Sequence, residues 1–157
     1  MMNYKNETQG KKFVIGVAIK TSNESGRFQT EVPLLWEKFY RENTADKIPH
    51  RKNKDLLAVY TDYEGDYTQP FTYIIGCEVT DLKSIPQGMV GVEIPSSSYA
   101  VFSTEGPFPQ SMGQTWQAIW NSPLKRSYTT DFEVYGPDFN PQNNPHVQIN
   151  IAVKLNN

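Results

Sequence analysis

The sequence predicts an α+β domain in which two copies of one strand-helix-strand-strand unit join into an antiparallel sheet with both helices on one side. Three observations carry that prediction. Runs of apolar residues alternate with polar ones at the two-residue period of a half-buried strand, and two tryptophan-bearing stretches repeat apolar residues at helical spacing. The order of these elements is the same in residues 13–80 and in residues 98–154. A chain of 157 residues is expected to form one domain over 1–157, large enough to bury a core without a disulfide or metal staple.

Phe13, Ile15, Val17 and Ile19 alternate and predict a strand ending near Lys20, with Thr21 to Gly26 as its loop. From about Thr30, Val32, Leu35, Trp36, Phe39 and Tyr40 predict a helix, with Pro33 in its first turn, where a missing N–H costs nothing. The basic stretch Asp46 to Asp55 reads as a solvated loop. Leu56 to Thr61 and Phe71 to Val79 predict two strands of a hairpin around Gly65. Pro86, Gln87 and Gly88 punctuate the chain before Met89 to Ile94, a stretch that reads as the connector between the two copies. Tyr99 to Ser103 then predicts a strand, Met112, Trp116, Ile119 and Trp120 a helix closed by Pro123, and Phe132 to Tyr135 and Val147 to Val153 the last two strands.

The copies match residue by residue at their most distinctive positions. Trp36, Phe39 and Tyr40 fall 80 positions before Trp116, Ile119 and Trp120, and Ala58-Val59-Tyr60 falls 75 before Glu133-Val134-Tyr135. Two such units are expected to pack about a pseudo-twofold axis with a groove at the seam, a common place for a ligand site. Where the first copy has Ala58 the second has Glu133, so the shared scaffold differs there by one carboxylate.

Composition narrows the function. A net charge of −2 gives no broad attraction to phosphate backbones or anionic membranes, so neither nucleic acid nor membrane is an expected partner. No run is long and apolar enough to span a bilayer, and Met1 to Lys12 lacks a signal-peptide core, which predicts a cytoplasmic protein. Asp62, Glu64 and Asp66 fail the calcium-loop pattern because Gly65 precedes the third acid and the twelfth position is Tyr73. Two histidines and the single Cys77 form no zinc spacing, so neither metal nor cofactor is expected. Aromatic residues make up 13% of the chain. Tyr60, Tyr73, Phe102 and Tyr135 all lie on expected strands, and the phenol hydroxyls of the three tyrosines suit a wet-ended pocket better than a dry core. Trp36, Trp116 and Trp120 have two readings, core rings or pocket walls. Period two places Glu133 on one strand face with Asp131 and Tyr135, which the pattern alone reads as a solvated face.

Tyr99-Ala100-Val101-Phe102, Gly106-Pro107, the Trp116 helix and Phe132-Glu133-Val134-Tyr135 together resemble the GyrI-like small-molecule-binding family, which includes the effector-binding domains of Rob-type and related AraC-type bacterial transcription regulators. Phe71 to Gly76 and Val147 to Val153 fit the same pattern. The resemblance implies paired strand-helix-strand-strand modules around a ligand groove, with a glutamate at the place of Glu133 that pairs with cationic aromatic ligands beside Tyr135. The expected ligand-binding set is therefore Glu133, Tyr135, Trp116, Tyr60, Tyr73, Phe102, Trp36 and Trp120, around a hydrophobic aromatic cation. The chain shows no helix-turn-helix pattern, so a stand-alone binder or a sensor read by a partner is the first expectation, with no catalytic residue assigned. A second is a hydrolase of strained electrophilic compounds in which Glu133 is the general base and Tyr135 assists. A protein-interaction inhibitor is the third.

Overall fold

The computed structural model describes residues 3–154. Strands β1 (Tyr4–Gln9) and β2 (Lys12–Thr21) precede helix α1 (Arg27–Arg41), followed by β3 (Leu56–Thr61), β4 (Phe71–Val79), β5 (Val90–Ile94), β6 (Ser97–Ser103), helix α2 (Gln110–Trp120), β7 (Thr130–Tyr135) and β8 (Gln148–Val153). All eight strands form one antiparallel sheet in the order β1-β6-β8-β7-β3-β4-β2-β5. Advancing every strand by four places reproduces that order reversed. The molecule is thus two copies of a unit related by a twofold axis between β3 and β7.

The unit is larger than the alternation predicts. Each copy begins with an extra edge strand, β1 or β5, which pairs with the other copy: β1 with β6 and β5 with β2. Strand β1 reads Tyr-Lys-Asn-Glu-Thr-Gln and is almost wholly exposed, so backbone hydrogen bonds rather than an apolar face hold it, and no two-residue period marks it. The expected connector at Met89 to Ile94 is instead mostly strand. Helix α1 also starts earlier than expected, at Arg27 after Gly26 in the left-handed region (φ 72°), where the Phe28 N–H donates to the Ser22 carbonyl at 3.0 Å. Pro33 therefore lies inside the helix and not in its first turn.

Both helices cover one face of the sheet. Val32 and Phe39 of α1 and Ile119 of α2 pack with Ala58, Ile75, Ile149 and Ile151. The opposite face carries Leu57, Val59, Ile74, Val101 and Phe132 with no helix residue, yet these too are buried. Curvature buries them. The Lys12 ammonium of β2 lies 5.9 Å from the ring centroid of Phe132 in β7, across the intervening β3 and β4. Gly16 and Gly76 stand opposite each other in β2 and β4, where a Cβ would lie 2.1 Å from the Ile75 carbonyl oxygen or 2.2 Å from that of Ile15. Only glycine lets the two backbones come this close.

Candidate functional site

The seam between the copies opens into a cavity of about 830 Å³, walled by α1 and α2 and floored by β3, β4 and β7. Its chemistry centres on Glu133. The register makes Ala58 and Glu133 direct partners across β3 and β7, so the symmetry-related positions of the two copies meet at the axis itself. Two glutamates there would oppose like charges in a buried site. One alanine and one glutamate avoid that clash and leave room for a single carboxylate.

Three neutral donors converge on this carboxylate. The Tyr60 hydroxyl donates to Oε2 at 2.7 Å, the Trp116 indole N–H donates to Oε2 at 2.8 Å, and the Tyr135 hydroxyl donates to Oε1 at 2.9 Å. Tyr60 and Tyr135 occupy equivalent places in the two copies, and both reach the one acid. Glu133 is 1% exposed and its face of β7 is buried, not solvated as the alternation alone implies. Burial raises the Glu133 carboxyl above its ordinary value of 4.5, while the hydrogen bonds from Tyr60, Trp116 and Tyr135 oppose that rise. Burial first, and the nearby carboxylate second, push the hydroxyls of Tyr60, Tyr73 and Tyr135 well above their ordinary values, which keeps all three protonated.

Asp131, two residues before Glu133 on the same face, offers an internal comparison. It is equally buried, but Arg126 pairs with it at 2.8 Å, the Tyr63 hydroxyl donates to it at 2.5 Å, and the Ala152 N–H donates to it at 2.8 Å. Asp131 has its cation built in. Glu133 has no cationic partner among the described residues.

Of the residues the sequence singled out, Glu133, Tyr135, Trp116, Tyr60, Tyr73, Trp36 and Trp120 all line this cavity. Trp36, equivalent to Trp116, donates to the Tyr73 hydroxyl at 2.8 Å in place of a carboxylate. Trp120 stacks on Tyr67 at 5.2 Å with the rings nearly parallel. Phe102 is a correction. It lies on the helix-facing side of the sheet, but β6 is two strands away from β7, and its ring packs on Tyr4 of β1 at 5.0 Å outside the cavity. The sequence reading passed over Phe28, Tyr63, Phe71, Phe108, Arg126 and Phe139, which also form the wall. Phe28 lies in the first turn of α1, ahead of the helical apolar period, Phe71 shares its alternation with the core residues of β4, and Tyr63, Arg126 and Phe139 lie in loops without periodicity.

Known proteins show the same fold. An integron cassette protein from the mobile metagenome of Vibrio cholerae superposes with a TM-score of 0.75 at 32% identity, over 96% of this chain and 95% of that one. The structure of SAV2435 bound to tetraphenylphosphonium superposes with a TM-score of 0.81 at 17% identity, over 98% of this chain and 94% of that one. YobU, a candidate transcriptional regulator of Bacillus subtilis (strain 168), is 28% identical over 88% of this chain and 90% of its own length. The transcriptional regulator BrlR of Pseudomonas aeruginosa is 31% identical over 77% of this chain, which spans 45% of BrlR. Residues 7–153 match the Cass2 family, integron-associated effector-binding proteins, and with the twofold-related modules and the GyrI-like fold around one cavity the chain belongs to that effector-binding family.

Proposed function

We propose that this chain is a cytoplasmic effector-binding module that captures hydrophobic aromatic cations in the cavity between its two copies, with Glu133 as the counter-charge and a protein partner reading the bound state into transcription control. One observation carries the reading: Glu133 is a buried carboxylate facing an aromatic cavity with neutral donors but no cationic partner among the described residues, while Asp131 beside it is paired. Leaving a carboxylate alone in a low-dielectric wall is costly, and a bound cation removes that cost. The surrounding rings present their negative faces to the same charge. The relative SAV2435 is described with tetraphenylphosphonium, an ion of this kind.

Tryptophan emission supplies the test, since Trp36, Trp116 and Trp120 all line the cavity. Titration with tetraphenylphosphonium should change that emission saturably. Glu133→Gln keeps the shape and removes the charge, and should weaken the cation by about 30-fold or more, as removal of one partner of a buried charge pair costs about 2–5 kcal/mol. A neutral ligand of the same shape, tetraphenylmethane rendered soluble by a polar substituent, should change little. Equal losses for the charged and neutral ligands would assign Glu133 a structural role, and no response of the wild-type protein to any aromatic cation would sink the reading.

A further inference from the structure

The rings that wall the cavity come in twofold pairs. Phe28 and Phe108, and Trp36 and Trp116, stand 80 positions apart, and Tyr60 and Tyr135 stand 75 apart, the offsets at which the two copies match. All six line the cavity. Their contacts repeat as well: Trp36 packs on Tyr135 with ring centroids 5.0 Å apart, and Trp116 packs on Tyr60 at 4.9 Å. Each helix tryptophan thus meets the tyrosine of the other copy.

Two aromatic half-sites result. Phe28 stacks on Tyr60 at 6.0 Å and with Trp116 walls the first. Phe108 reaches Tyr135 through Phe139, at 5.2 and 5.1 Å, and with Trp36 walls the second. Phe28, Phe108, Trp36 and Trp116 are only half-buried, so ring surface in each half-site remains uncovered. The carboxylate stands between the two, with Oε2 held from the first by Tyr60 and Trp116 and Oε1 held from the second by Tyr135. The walls are doubled while the charge is single and central. At about 830 Å³ the cavity lies in the upper part of the range of roughly 300–1,000 Å³ for small-molecule sites, which leaves room for a ring system in each half.

Attraction between a cation and a carboxylate falls with distance, and a ring face holds a cation only within about 6 Å of its centroid. A ligand charged at one end that sets its charge at Glu133 must put all its rings into one half-site, and leaves the other to water. A charge midway along the ligand fills both. We infer that this cavity selects cations whose single charge lies between two aromatic arms, one arm in each half-site. The inference rests on the cation capture at Glu133 proposed above and names the class of cation.

Two isomeric ions test this: bis(naphthylmethyl)dimethylammonium, charged in the middle, and (binaphthylmethyl)trimethylammonium, charged at one end. They share composition, charge and both naphthyl groups, so only the placement of the charge differs. Calorimetry on the wild-type protein should give one bound ion per chain and an affinity about tenfold higher for the centrally charged isomer, the scale of the ring contacts of one arm. Intermolecular nuclear Overhauser effects from its naphthyl protons should reach the indoles of both Trp36 and Trp116. Equal affinities, a preference for the end-charged isomer, two bound ions per chain, or contacts with one indole alone would each overturn the two-arm assignment. Glu133→Gln separates that failure from failure of the underlying reading. Isomers of equal wild-type affinity that both weaken in this variant leave cation capture standing and reject the two arms. Undiminished affinity of both ions in Glu133→Gln counts instead against cation capture at Glu133, and the two-arm inference falls with it.

Discussion

At the scale of single residues, the site depends on which groups hold protons. Burial raises the folded-state pKa of Glu133 above its ordinary value of 4.5. A cation prefers the ionised form, so affinity for an aromatic cation should climb as pH rises from that ordinary value through the raised one, and then level off. Affinity measured against pH for tetraphenylphosphonium and for a neutral analogue checks this, and parallel curves for the two would refute it. Stability runs the other way. A carboxyl whose folded pKa is raised contributes stability below its unfolded pKa and loses it as pH rises through the folded pKa. Glu133→Gln should therefore gain in melting temperature relative to the wild type across the same window, the two proteins being closest in acid. Tyr135→Phe removes one of the three donors and should cost only about 0.5–1.5 kcal/mol of cation affinity by the same titration, well below the loss in Glu133→Gln. The sequence made the tyrosines and Glu133 legible because strand spacing put them on one face and the family resemblance marked the acid. Arg126 was illegible because a loop residue has no period to announce what it faces.

At the scale of elements, the alternation located six of the eight described strands and left β1 as unassigned N-terminal sequence. An edge strand of polar residues is held by main-chain hydrogen bonds, which any sequence free of proline can make, so its side chains carry little information. Strand β5 does alternate, but its proline and glycine flanks made it read as a connector. The close approach of β2 and β4 gives a sharp prediction at this scale. Gly76→Ala places a Cβ 2.2 Å from the Ile15 carbonyl oxygen and 2.8 Å from the Gly16 Cα, backbone atoms that cannot rotate aside. It should lose about 1–3 kcal/mol or more in urea denaturation. Gly113→Ala is the control: it lies within α2 with no atom of the described residues beyond its own helical turns within 4 Å of the added Cβ, and should gain about 0.5–1 kcal/mol from helix propensity alone. Equal behaviour of the two variants would mean that β2 and β4 can separate freely.

At the scale of the whole molecule, the reversed strand order places Ala58 and Glu133 face to face on the axis. Ala58→Glu would restore the symmetry and set two carboxylates against each other in a buried wall. It should destabilise the protein by about 3 kcal/mol or more at pH 8 and by less at pH 5, where the pair can share a proton. Thermal melts at the two pH values measure this, and an unchanged melting temperature at pH 8 would show that the wall relaxes to separate the charges. The repeat was visible in the matched tryptophans and tyrosines, but the axis was not, because sequence spacing aligns copies without saying which strands touch. An on-axis position also sets a rule of descent. In an assembly of two identical half-length chains, whatever residue stands on the axis stands there twice, so such a dimer carries either no carboxylate at this place or two. A lone charge at the centre requires two halves that are free to differ. Encoding both halves in one chain supplies that freedom and always brings the one carboxylate together with the one alanine.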